Sequence, residues 1–182
     1  MGRFLRRYGT LVGFVLILIF FSLRLPGTFL TAQNWLNITQ QLSMLLVVAA
    51  GMTVVMVMGD FDLSVGSMAS LSGVVAAVLF AAGWPIWAAM GAALLVGLVG
   101  GLINGAMVSL IGILPFVATL ATLTIFSGIA FVVSGGKTIS GRTIPEAFGA
   151  FARQGLELGF VTLPNLSLVA LAVLIVTWVL LE

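Results

Sequence analysis

Two carboxylates stand two residues apart in an otherwise uncharged, apolar stretch of this chain. Asp60 and Asp62 lie in Met58–Ser67, which reads M-G-D-F-D-L-S-V-G-S, and no Asp, Glu, Lys or Arg occurs from Leu63 to Gly136. Ionisable groups in such surroundings are costly, so the pair has a structural or a functional reason. Three roles are open to it: holding a coupling ion or proton, bordering a polar path or partner contact, and capping a helix.

The helix-capping role follows from the local sequence. Residues two apart point to different faces of a helix, and Gly59 before the pair indicates a turn instead. Asp62 precedes an apolar run, so its carboxylate is placed to accept the free N–H groups of a first helical turn. The residues alone do not choose among the three roles, and the candidates in this segment are Asp60, Asp62, Ser64 and Gly66.

Small and polar residues mark two later apolar segments. Gly97, Gly101 and Gly105 are four residues apart, which places them on one helix face and predicts close helix packing; a surface that slides during gating is a compatible alternative. Asn104 lies within this glycine series and Thr119 in the next segment. Such single polar groups either hydrogen-bond a neighbouring helix or line a substrate path.

The composition identifies the class of protein. Of 182 residues, 62% are hydrophobic and 7% charged, with a mean hydropathy of +1.31. A soluble domain carries about 25% charged residues, so the chain is an integral protein of the lipid bilayer. It has no Cys and no His, which removes the usual metal ligands and general base, and no metal site or cofactor is expected. No nucleic-acid partner is expected, because the net charge of +2 reflects a basic N-terminus and sets topology.

Long apolar runs predict the architecture. Each bilayer crossing takes about 20 apolar residues. The fold class is therefore all-α, a polytopic transmembrane bundle in a single domain, 1–182, with helices at 8–25, 38–58, 63–82, 86–109, 114–133 and 163–181. Residues 31–37 and 134–159 are expected to be polar loops. The runs are continuous and twice the length of a barrel strand, so no sheet is expected.

Basic residues predict the orientation. Arg3, Arg6 and Arg7 precede the first apolar run, which places the N-terminus in the cytoplasm. Alternation along six helices then puts the Asp60/Asp62 turn near the cytoplasmic side and the 134–159 loop outside.

Four blocks of sequence occur in order along the chain. They are A-A-G-M-T-V-V-M (49–56), G-D-F-D-L-S-V-G-S (59–67), N-G-A-M-V-S-L-I-G-I-L-P-F-V-A-T-L (104–120) and S-G-G-K-T-I (134–139). Together they resemble the ribose/xylose-type permeases of monosaccharide ABC importers, with their G-G-I-D-L-S-V-G-S signature and later P-P-F-I-A-T-L block. Asp60, Phe61 and Leu114 depart from those patterns, where the family has Gly, Ile and Pro.

The resemblance implies a function and a set of partners. The chain would be a subunit of an ATP-driven bacterial sugar importer in the inner (plasma) membrane, forming the translocation pathway by alternating access. Its partners would be a cytoplasmic ABC ATPase, a periplasmic or extracellular sugar-binding protein, a second permease copy and a monosaccharide. It would not be an enzyme itself, since it has no G-x-x-x-x-G-K-[ST] phosphate loop.

The resemblance also adds candidate residues. Pro115 and Phe116 join Asn104 and Thr119 as possible pathway residues; Phe116 could offer an aromatic face to a sugar or simply face lipid or core. The 134–159 loop becomes a possible docking surface for the binding protein, with Lys137 and Arg142, or else a merely solvated loop.

Family members are larger than this chain. The resemblance implies a type II ABC importer-like permease of roughly ten helices, of which this would be the N-terminal portion: a truncated product, a gene fragment or half of a split permease. Two alternatives stay open. One is a secondary transporter or channel that uses Asp60 and Asp62 directly, and the other is a non-functional permease fragment.

Overall fold

Helices dominate the structure. The computed structural model of the protein describes residues 2–158 and 161–182, apart from the side chains of residues 2–5, 142, 158 and 161. Its α-helices are α1 (Gly2–Arg24), α2 (Pro26–Phe29), α3 (Ala32–Val57), α4 (Val65–Ala81), α5 (Ile86–Ser109), α6 (Pro115–Val133), α7 (Glu146–Arg153) and α8 (Asn165–Leu181). The all-α fold class predicted from the sequence is confirmed.

Four of the helices have the length and composition to cross a membrane. They are α1 from Arg6 onward, α3, α5 and α6. The apolar helices α4 and α8 have 17 residues each. At a rise of about 1.5 Å per residue each spans about 25 Å, slightly less than the roughly 30 Å hydrocarbon core. The chain is thus a multi-pass membrane protein in which two helices are shorter than the expected 63–82 and 163–181.

Two groups of helices form the interior. In the first, α4 packs against both α5 and α6, and Leu71 and Phe126 are buried between them. In the second, α8 packs along α3, where the hydroxyl oxygens of Ser43 and Ser167 lie 2.9 Å apart. A hydrogen bond of this kind replaces water that the bilayer cannot supply, so it helps to fix the register of the two helices.

The prediction of a loop at residues 31–37 is wrong. Helix α3 begins at Ala32, because the Thr31 side chain accepts a hydrogen bond from the Asn34 N–H and so caps the first turn. The polar residues of this stretch therefore extend a 26-residue helix beyond its apolar part.

The segment after α6 is folded as well, contrary to the prediction of a loop at 134–159. A 3₁₀ turn at Gly141–Thr143 leads into α7, and strands β1 (Gly155–Leu158) and β2 (Val161–Pro164) form an antiparallel hairpin. The expectation that no sheet would occur is wrong here, since it rested on the length of the apolar runs and this hairpin lies between them. At Gly155 a Cβ atom would overlap the Leu163 carbonyl, so the close approach of the strands requires glycine.

This folded segment, which comprises the 3₁₀ turn, α7 and the β1–β2 hairpin, covers one end of the bundle, and we call it the folded cap. Ile144 and Phe148 pack on a cluster that includes Phe80 and Ala89, and the Phe80 and Phe148 rings lie 5.1 Å apart. Phe80 is near the last turn of α4 and Ala89 is in the first turn of α5. The Asp60/Asp62 turn precedes the first turn of α4, so the cap and the turn lie at opposite ends of that helix.

The close helix contact of α5 lies at Gly100. A Cβ at Gly100 would overlap the Met68 side chain on α4 and come within 3.3 Å of the Phe126 ring on α6. Close packing along Gly97, Gly101 and Gly105 is not seen among the described residues and stays a prediction: a Cβ at Gly97 would make one ordinary contact, and at Gly101 or Gly105 it would meet nothing within 4 Å. That face of α5 borders open space.

We expect Gly100→Val to destabilise the chain more than Gly101→Val does. Both substitutions put the same β-branched residue into the middle of α5, so the helix-propensity cost cancels. Only the first overfills a packed contact: the methyl end of Met68 can swing aside, but the Phe126 ring at 3.3 Å also has to give way. The expected cost is therefore about 1 kcal/mol, the lower end for overpacking. Thermal unfolding of the purified chain in detergent, monitored by circular dichroism, measures the difference. Equal unfolding midpoints for the two variants would contradict the close helix contact at Gly100.

We also expect Ser43→Cys combined with Ser167→Cys to form a disulfide. The two hydroxyl oxygens already meet, and the chain has no cysteine of its own. Mild oxidation should protect both thiols from maleimide labelling, and a reductant should restore labelling. The matched control pairs Ser43→Cys with Ser127→Cys on α6, and both of its thiols should stay free. If oxidation protected this pair and not the first, the packing of α8 against α3 would be contradicted.

Candidate functional site

The acidic turn, Gly59–Ser64, begins where α3 ends. The N–H of Gly59 donates to the Met56 carbonyl and that of Asp60 to the Val55 carbonyl, which closes the last turn of the helix. Such a terminus needs a left-handed residue, and Gly59 supplies it with φ of +88°. Glycine at this position thus turns the chain back toward the bundle directly before the two carboxylates.

Asp62 organises the second half of the turn. Its Oδ1 accepts hydrogen bonds from the backbone N–H of Ser64 at 2.7 Å and from the Ser64 hydroxyl at 2.6 Å. Hydrogen bonds to a charged acceptor are about twice as strong as neutral ones. The expected helix cap is therefore corrected: the helix begins at Val65 with Ser64 as its cap residue, and the carboxylate holds the residue before the helix.

Asn104 joins this turn to α5. Its Nδ2 donates to the Ser64 hydroxyl oxygen at 2.8 Å, and that hydroxyl in turn donates to Asp62. Ser64 is 2% exposed and Asn104 8% exposed, so both ends of this bond are withdrawn from solvent. Asn104 lies five residues before Ser109, the end of α5, about 7 Å inside the helix terminus. The acidic turn is therefore recessed into the bundle.

Thr119 joins the same turn to α6. Its hydroxyl oxygen accepts the Leu63 N–H at 3.1 Å and donates to the Pro115 carbonyl at 2.8 Å within its own helix. Thr119 is 3% exposed. The structure thus brings together Asp62, Ser64, Asn104 and Thr119, which are more than 50 residues apart at the extremes, around the start of α4.

Two cavities adjoin the turn. The first cavity, of about 480 Å³, lies between α3, α4 and α5. The second cavity, of about 380 Å³, lies by the end of α3 and the start of α6. Asp62, Gly101 and Asn104 line both, and we call these three residues the partition. Small-molecule sites span about 300–1,000 Å³, so each cavity is of a size that holds one.

The remaining predicted residues are placed as follows. Asp60 lines the second cavity, and its carboxylate makes no hydrogen bond to the described residues. Pro115 also lines it, while Phe116 is 59% exposed and lines neither cavity. Gly66 lies in the first turn of α4 outside both cavities. Gly97 lines the first cavity and Gly105 the second.

The two basic residues of the outer segment are far from the turn in the fold. Lys137 is exposed, in the turn that follows α6, at the end of that helix opposite Thr119. The side chain of Arg142 lies outside the described residues.

Sequence reasoning missed the contribution of α3. Gly51 and Met52 line the first cavity opposite the α5 glycines, together with Ser72 of α4. Gly51 is the one visible signal, a small residue inside an apolar run, and its position opposite α5 depends on a helix arrangement that spacing does not reveal.

The chain matches a known family over most of its length. The family is described as "branched-chain amino acid transport system / permease component", and the match covers residues 34–182. It therefore includes the acidic turn, the partition, both cavities and the folded cap. No solved structure matches the chain.

Curated relatives carry names of import permeases. The chain is 34% identical over 139 residues to a ribose import permease protein of Haemophilus influenzae, covering 76% of this chain and 43% of that protein. It is 38% identical over 136 residues to a D-allose transport system permease protein of Escherichia coli, covering 74% and 42%. An autoinducer 2 import system permease protein of Klebsiella pneumoniae is 39% identical over 122 residues, covering 65% and 36%.

These relatives are longer than the matched region, so the chain spans less than half of their length. The family match and the named relatives confirm the resemblance to monosaccharide ABC importer permeases that the sequence blocks predicted. With the match covering residues 34–182, the chain belongs to this family of transport-system permease components.

Proposed function

We propose that this chain forms part of the transmembrane pathway of an ATP-driven bacterial importer of monosaccharides. Family membership and the names of the ribose and D-allose relatives support the transport class. The observation that carries the proposal is the buried hydrogen-bond set around Ser64, with cavities on both sides of it. Polar groups inside a membrane bundle mark substrate paths, and here they border space rather than fill it.

Alternating access is the proposed mechanism. The first cavity lies between α3, which packs with α8, and the α4–α5 pair, so motion of one group against the other changes its shape. The open face of α5 at Gly101 and Gly105 supports such motion, because no side chain interlocks there. A transporter of this kind offers two states whose balance other subunits shift.

The proposed partners follow from the same class. A cytoplasmic ATPase supplies the energy, a sugar-binding protein delivers the monosaccharide outside, and a second permease copy completes the pathway. The cap that includes α7 is the proposed docking surface, with the exposed Lys137 and with Arg142. The proposed location is the bacterial inner membrane with the N-terminus in the cytoplasm, as the three N-terminal arginines favour.

A secondary transporter or channel that uses the two carboxylates directly is less well supported. Asp62 already receives two hydrogen bonds from Ser64 through one oxygen, which is a structural use of its charge. The relatives named above are import permease proteins, which supports the importer class over a channel. A non-functional fragment is distinguished by the uptake measurement that follows.

We expect uptake to follow ATP and not an ion gradient. The chain is expressed with the rest of its transport system in a strain that lacks ATP synthase, and radiolabelled D-ribose, D-xylose and D-allose are offered in turn. Arsenate, which depletes ATP, should abolish uptake of the transported sugar. A protonophore should leave uptake unchanged while glycolysis maintains ATP; loss of uptake under that condition would favour secondary transport instead.

We expect Asp62→Ala to reduce uptake much more than Asp60→Ala does. Removing Asp62 leaves two buried donors of Ser64 unpaired, at about 1–3 kcal/mol each, and loosens the start of α4. Asp60 makes no hydrogen bond to the described residues, so it is the matched control. Initial uptake rates, normalised to permease in the membrane, measure the effect; a wild-type rate in Asp62→Ala would show that the hydrogen bonds of Asp62 do not shape the pathway.

A further inference from the structure

Asn104 carries an unusual buried atom. Its Oδ1 is the only buried side-chain oxygen or nitrogen in the described residues that lacks a hydrogen-bond partner. The orientation of the amide is fixed by its neighbour: the Ser64 hydroxyl gives its hydrogen to Asp62, so Asn104 has to donate through Nδ2. Oδ1 is thereby left as an acceptor without a donor, and buried polar atoms in this state are rare in native proteins.

The position of this atom suggests what supplies the donor. Asn104 belongs to the partition, the three residues that line both cavities. Beside it, Gly101 offers no side chain, and a Cβ there would meet nothing within 4 Å. Asp62 uses only Oδ1 in the bonds to Ser64 and retains Oδ2 as a second acceptor. The boundary between the two cavities thus includes the Asp62 carboxylate, the Asn104 amide with its enclosed Oδ1, and no side chain at Gly101. A molecule that passes from one cavity to the other has to open this boundary, and it then meets two oxygen acceptors.

We propose that the partition is a hydroxyl-binding constriction of the pathway, in which Asn104 Oδ1 and the Asp62 carboxylate accept hydrogen bonds from a neutral polyhydroxyl substrate. This rests on the proposed function and names the contact points within it. The amide nitrogen of Asn104 has a second hydrogen beside its bond to Ser64, so the site donates as well as accepts, which matches an O–H group. A metal cation would need several oxygen ligands and no donor, and the partition has a single carboxylate.

The test compares a sugar with its mono-deoxy analogues. Uptake of the transported sugar among D-ribose, D-xylose and D-allose, and of each analogue lacking one hydroxyl, is measured for the wild type, Asn104→Leu and Asn104→Gln. In Asn104→Leu the preference for the parent sugar over at least one analogue should fall about two- to tenfold, the worth of a single hydrogen bond. Asn104→Gln retains both the amide donor and the acceptor and should retain more of that preference. The external binding protein selects equally in every variant, so its contribution cancels in the comparison.

A second measurement leaves Asn104 in place, so it does not depend on whether the Asn104 variants fold. Gly101→Cys introduces a single thiol into a cysteine-free chain at the partition. A polar methanethiosulfonate reagent should label this thiol, and excess transported sugar should slow the labelling several-fold; the labelling is read as a mass shift of the chain and does not require the variant to transport. Gly128→Cys on α6, also with nothing within 4 Å and outside both cavities, is the matched control, and the sugar should not change its labelling.

The outcomes separate the two proposals. If uptake in Asn104→Leu falls by the same factor for every sugar and analogue, or if Gly101→Cys is labelled without protection by sugar, the constriction is overturned while ATP-driven transport stands. An unlabelled Gly101→Cys also overturns it, because another helix then occupies the cavities. Absence of ATP-dependent uptake of any sugar in the wild type overturns the proposed function itself.

Discussion

The structure depends on a short chain of hydrogen bonds that runs from Asn104 to Ser64 to Asp62. A backbone that leaves its helix exposes N–H and C=O groups, and where it is withdrawn from solvent these groups have to pair with protein groups. Three groups pair with the turn before α4. Asp62 accepts the Ser64 N–H, Asn104 donates to the Ser64 hydroxyl oxygen, and Thr119 accepts the Leu63 N–H. Each bond comes from a different element, so the turn also fixes how α4, α5 and α6 meet.

This constraint explains why α4 is short. Seven residues between α3 and α4 are used to turn back into the bundle, and the helix then begins at the level of Asn104 rather than at the end of α5. A single carboxylate is tolerated in this place because both of its hydrogen bonds are local, made with a residue two positions along the chain. Interhelical hydrogen bonds in membranes are worth only about 0.6–2 kcal/mol each, so it is their number around one turn that holds it.

The sequence predicted what depends on composition and local spacing, and failed where packing decides. Continuous apolar runs gave the helical class, and Gly59 before the carboxylates indicated a turn. Ser64, Asn104 and Thr119 were named as single polar residues, but only the fold shows that they meet. The glycine series was assigned to tight packing because spacing shows which residues share a face and not what that face meets; one residue along, Gly100 is packed while Gly101 is open. The cap after α6 was missed because short amphipathic pieces such as α7 give a weak signal beside long apolar helices.

The open glycine face and the orphan amide oxygen belong to one physical argument. A membrane bundle gains little by leaving small residues unpacked, since close backbone approach is what such residues contribute to helix association. It loses free energy by leaving a buried acceptor without a donor. Both costs occur at the same place, beside Gly101 and Asn104, where the two cavities meet. Stability alone favours filling that space with a side chain, so a function that needs the space empty and the acceptor free accounts for both.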